Sequence, residues 1–196
     1  TVIDATGLNV YPGLVDAHSH LGLDGYAIGF EGQDYNEMND ILTPQLRAID
    51  GINPQDETLQ LALEGGVTCV GTGSNVLGGM FVAMKPFGRR IDDMIVKFPV
   101  AMKCAFGENP KRFYKDKNNY SRMSTASKLR EMLFKAREYQ AKLDAAAEDP
   151  SKKPAYDMKL EALLPVLRRE IPLKAHAHRA DDIFTAIRIA KEFDVK

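Results

Sequence analysis

Residues 12–22 read PGLVDAHSHLG. After the Pro12-Gly13 break, the run GLVDAH over residues 13–18 predicts a short buried strand, and its end carries His18 and His20. Side chains two apart on a strand point to the same side, so both imidazoles aim at one point. The pattern recurs in KAHAH, residues 174–178, where His176 and His178 close a second predicted strand, Pro172 to Ala177. The two pairs account for all four histidines of the chain. Neutral imidazole is a common ligand of zinc, iron and manganese. Two such pairs, each closing a strand, point to a metal site more than to core or surface histidines.

Outward from these pairs, strand and helix signals alternate. Residues 1–12 read as an extended arm, and residues 19–52, rich in Gly, Asp and Asn, as a long loop. Loops of that length in compact domains are usually functional or disordered. Asn53 and Pro54 open a helix that Gly65-Gly66 stops, with Leu59, Leu61, Ala62 and Leu63 as its apolar set. Strands are predicted at Val67–Val70, Phe81–Met84 and Val100–Phe106, with a single helical turn at Ile91–Ile95. A long helix is predicted from Thr125 to Ala147, capped by Ser124, with Leu129, Met132, Leu133, Ala136, Tyr139 and Leu143 at helical spacing. A second helix is predicted over 156–169 and a last one from Asp181 to Phe193. Strands alternating with helices imply parallel βα units, an α/β fold. Both histidine pairs then sit at C-terminal strand ends, where (β/α) barrels collect their reactive groups.

Composition narrows the function. The 196 residues carry 26 Lys and Arg against 27 Asp and Glu, a net charge of −1. That gives no basic stripe for nucleic acid or an anionic membrane. No apolar run approaches the ~18 residues of a membrane span, and no signal peptide is visible. Cys69 and Cys104 sit in strand-like runs and read as free thiols, which fits a reducing cytoplasm. The glycine-rich GTGSNVLGG, residues 71–79, lacks the Lys-Ser/Thr of a P-loop and reads as a loop at the site. Arg89, Arg112 and Arg179 could hold a substrate carboxylate, although solvated loop charges are the plainer reading. Ser19 has no base arrangement of its own.

PGLVDAHSHLG resembles the first-strand signature of the amidohydrolase superfamily, and KAHAH with the following RADDIFTAIRIAKEF resembles the fifth-strand histidine and helix of its imidazolonepropionase-like and prolidase-like branch. The likeness runs from residue 1 to 196. It implies a partial TIM-type (β/α) barrel over 13–196 that stops before the later strands, preceded by an arm, 1–12, from a flanking β-sandwich. It implies His18, His20 and His176 as metal ligands. His178 would face the substrate or support a ligand. Asp16 would orient an imidazole, or else make a plain strand-end contact. A bridging anion in such sites comes from the fourth strand. Glu108, in a turn at a strand end, is the preferred candidate. Lys103, a lysine inside an apolar strand, is the alternative if carboxylated.

The resemblance implies one or two divalent cations, zinc first, with iron, manganese or nickel as alternatives. Its chemistry is a metal-activated water attacking an amide or cyclic amide C–N bond of a small molecule. The later histidine and aspartate of the superfamily pattern are missing, so this stretch alone is expected to be an inactive fragment. Two rivals stand beside this reading. One is a mononuclear deaminase of the same superfamily. The other is a non-catalytic metal-binding module, associating as a homo-oligomer through the exposed surface of a half barrel.

Overall fold

The computed structural model describes residues 2–26 and 28–196. Five strands form one sheet in sequence order: β1 (Leu14–Ser19), β2 (Val67–Thr72), β3 (Leu77–Met84), β4 (Ile95–Ala105) and β5 (Leu173–His176). Pairings β1–β2 and β4–β5 are parallel, whereas β2–β3 and β3–β4 are antiparallel. Strands β1, β2, β4 and β5 therefore run one way and β3 runs against them. The result is an α/β fold whose sheet curls into an open half barrel, a partial TIM-type barrel.

The reversed β3 departs from the expected run of parallel units. Only Gly73–Val76 joins β2 to β3. A parallel crossover needs about a dozen residues, so four can make only a hairpin. Strand β1 also departs from expectation. It lies at the sheet edge, and Leu14 and Val15 are exposed rather than buried. Residues 2–13 hold no helix or strand and are largely exposed.

The described residues form seven α-helices. The first, α1 (Glu57–Glu64), starts later than Asn53-Pro54 suggests. Asn53 accepts the Gln55 N–H and makes a turn, while the buried Asp56 accepts the Thr58 N–H at 2.8 Å and caps the helix. The short α2 (Ile91–Met94) precedes β4, and α3 (Glu108–Phe113) follows it. The long α4 (Arg122–Glu148) begins three residues before its expected start, because Ser121 and Ser124 form a reciprocal capping box. The helix expected over 156–169 is broken into α5 (Met158–Glu161) and α6 (Leu164–Leu167). Pro165 lacks an N–H to continue the ladder, which explains the break. The last helix, α7 (Ala180–Phe193), leaves β5.

Two apolar clusters support the sheet. Leu77, Met102 and Cys104 pack with Leu129 and Leu133 of α4, Val166 of α6 and Ile189 of α7. Leu23, Ile52 and Leu59 pack with Val70, Val82 and Met84. The second cluster seats the 19–52 loop against β2 and β3. Tyr114 adds to that seating by donating its hydroxyl to the Glu37 carbonyl.

Candidate metal centre

The ends of β1, β4 and β5 bring their polar side chains to one cavity of about 230 Å³. His18 and His20 enter from β1 and the turn after it, Lys103 from β4, and His176 from the end of β5. Tyr35 and Asn36 reach it from the long loop, Ser74 and Asn75 from the β2–β3 hairpin, and Asn109 and Arg112 from α3. The shared direction of β1, β4 and β5 puts these groups on one rim. The period-two spacing selects the three histidines, the resemblance offers Lys103 only as the alternative to Glu108, and the hairpin glycine run reads as a loop at the site. Tyr35, Asn36 and Asn109 carried no signal of their own.

His20 is fixed by the hairpin. Its Nδ1 lies 2.8 Å from the Gly73 carbonyl, which can only accept, so Nδ1 carries a proton and Nε2 is the nitrogen turned to donate in the neutral tautomer. Its ring stands 5.7 Å from that of His18, edge to face, and 5.9 Å from Tyr35. His18 in turn packs edge-on against Phe81 at 5.4 Å. Partial burial, then the positive charges of Lys103 and Lys174, push the His18 pKa down to about 4. Burial and Lys103 also lower that of His176. These imidazoles are neutral at pH 7, the state in which they donate to a metal.

Lys103 is only 6% exposed, and its Nζ meets the Asn75 carbonyl at 3.3 Å. Burial holds its pKa below the ordinary lysine value, against the opposing pull of Cys104. Its register partner across the β4–β5 pairing is Lys174, whose Nζ lies 2.8 Å from the Ala17 carbonyl of β1.

Glu108 does not line this cavity. Its exposed carboxylate pairs with Arg122, which also donates its Nε to the buried Asp182 at 2.7 Å. The Arg122 bond lowers the Glu108 pKa. Gly107 sits above Asp182 with φ +83°, and a Cβ there would meet the Asp182 carboxylate at 2.6 Å. Asp16 accepts the backbone N–H of His18 at 3.0 Å, the strand-end contact, and bonds no imidazole. His178 is exposed beside the cavity, its Nε2 3.1 Å from that of His176, which Asn109 meets at the same distance. Among the described residues no three His, Cys, Asp or Glu side chains stand close enough together to hold a metal ion. His18, His20 and His176 line the cavity without gathering at the spacing of metal ligands, and no carboxylate joins them in its wall.

Cys69 and Cys104 are both free, Cys104 buried and Cys69 partly so. Among the described residues no helix is long and apolar enough to cross a membrane.

No family model matches the chain. The amidohydrolase tasK of Hapsidospora irregularis is 28% identical over 218 residues, an alignment taking in 98% of this chain and 22% of that protein. A crystal structure of an amidohydrolase from Thermotoga maritima MSB8 superposes with a TM-score of 0.90 at 39% identity, over 100% of this chain and 54% of that one. The chain thus spans about a fifth of the first relative and about half of the second. A fold shared along its whole length at that identity supports membership of the amidohydrolase superfamily.

Proposed function

We propose that the protein is a metal-dependent hydrolase that cleaves an amide or cyclic amide C–N bond of a small molecule, with this chain supplying the first part of its barrel. The observation that carries the reading is the meeting of His18, His20, His176 and the buried Lys103 in one cavity. The donor chemistry fits a divalent cation, zinc first: His20 offers a free Nε2, and His18 and His176 are uncharged at neutral pH. Such an ion would supply Lewis acidity and make a water acidic enough to ionise near pH 7.

The anionic partner is Lys103 rather than Glu108. Lys103 reaches the cavity, whereas Glu108 is turned away to Arg122. Its Nζ gives up one proton to become the neutral amine and attacks carbon dioxide; one N–C bond forms, one C–O π bond opens, a second proton leaves the nitrogen, and the side chain passes from cation to anion. Burial, which lowers the lysine pKa, favours the neutral amine that this step needs. His178, at the cavity edge, positions substrate or exchanges a proton with it. Asp16 holds the backbone of the first histidine pair. The KAHAH motif favours the imidazolonepropionase-like and prolidase-like branch.

A mononuclear deaminase is the second reading, favoured by the lack of any carboxylate in the cavity wall. Metal content of the intact protein tests both. About one or two equivalents are expected, lost in His18→Ala/His20→Ala. One equivalent that survives Lys103→Ala, with ammonia as the product, would shift the reading to a deaminase. Metal retained in the double histidine variant would remove the site altogether.

A further inference from the structure

We propose that Arg112 determines specificity by receiving a carboxylate of the substrate, so that the substrate is a small amide with a free carboxylate beside the scissile bond. The inference rests on the hydrolase reading and names its substrate class. The wall of the histidine cavity carries two cationic side chains, Lys103 and Arg112, and no Asp or Glu. Nearby carboxylates are engaged elsewhere: Glu108 with Arg122, Glu37 with the Asn39 N–H, and Asp40 with Lys159. An anion that leaves water for the Arg112 side of this cavity meets a guanidinium and no Asp or Glu carboxylate.

Of the two, Lys103 lies deep and, as the carboxylated bridging group of the hydrolase reading, is no longer a cation, which leaves Arg112 to meet an anionic substrate. Arg112 is exposed at the end of α3, and its guanidinium lies 4.7 Å from the Phe113 ring centroid. It makes no ion pair among the described residues. The other two arginines singled out in the sequence are placed differently. Arg179 is neutralised by Asp181, and Arg89 lines a separate hollow beside Pro54 and Phe87. Only Arg112 of the three reaches the histidines. Its planar fork matches a carboxylate at two points, and the stacking on Phe113 holds that plane. Across the cavity, Asn36 and Asn75 offer neutral amides for the rest of the molecule.

Isothermal calorimetry on the intact, zinc-loaded protein tests the assignment. The probes are the N-acetyl derivatives of glycine, leucine and phenylalanine, each as the free acid and as the C-terminal amide. At least one acid is expected to bind about 10-fold or more tightly than its amide, as a charge-assisted pair requires. Arg112→Gln is expected to weaken that acid about 30-fold and erase the preference, and Arg112→Lys to keep part of it. Absence of any acid preference in the unaltered protein overturns the assignment, whatever the variants do. So does a preference that survives Arg112→Gln. Release of acetate is followed in the same samples, where the Arg112→Gln effect should fall on KM rather than kcat. An Arg112-dependent preference without hydrolysis supports the assignment and counts against the hydrolase reading; hydrolysis without preference does the reverse.

Discussion

The bond from His20 Nδ1 to the Gly73 carbonyl decides which ring nitrogen of that histidine faces the cavity. Position 73 has to be glycine, since a Cβ there would meet the Phe81 ring at 2.4 Å. His18, packed on the other side of that phenylalanine, carries the clearest pH signature. Its pKa of about 4 in the folded chain lies below the ordinary 6.5. Between those values the unfolded chain holds a proton that the folded chain does not, so stability rises with pH across that window. Urea midpoints of the metal-free protein should therefore climb from about pH 4 to about pH 6.5, and His18→Asn should flatten the climb. An unchanged slope in the variant would assign the proton elsewhere. The histidine pairs were legible because a period of two needs no tertiary knowledge. The direction of Glu108 was not legible, because Arg122 lies on another helix and turns back to it only in the fold.

At the scale of elements, α4 joins the outer layer to the sheet. Leu129, Leu133 and Ala136 are buried along one stripe, as their spacing predicted, and Phe134, between them, is 46% exposed. Removing a buried leucine side chain leaves a cavity as well as losing its transfer energy. Leu133→Ala should cost ~2–5 kcal/mol, and Ser121→Ala, which opens the capping box, about 1 kcal/mol. Equilibrium urea unfolding measures both, and a Leu133→Ala cost below that of Ser121→Ala would contradict the packing described. Helix stripes read well from sequence because burial repeats with the turn. The reversed strand β3 did not, although the four residues before it were too few for a crossover; the glycine-rich hairpin drew attention as a loop and hid that arithmetic.

The described residues leave two open sheet edges, β1 and β5, and Lys174 reaches from one to the Ala17 carbonyl of the other. Apolar side chains stay in solvent near each edge, Leu14 and Val15 on β1 and Ile183, Phe184 and Ile187 on α7, the helix that follows β5. Unpaired edges and apolar patches favour association. The 196-residue chain by itself should sediment above its 21.8 kDa mass, and Ile183→Lys/Ile187→Lys should shift it toward that mass. A monomer at all concentrations would show that the edges protect themselves.

Because β3 runs backwards, the segment that follows it, residues 85–90, leaves from the rim opposite the histidines, with Phe87 in solvent. No residue of that segment lines the histidine cavity. Mutations and inserted residues there would leave the cavity wall as it is, whereas a change of one residue in the hairpin or α3 would alter that wall directly.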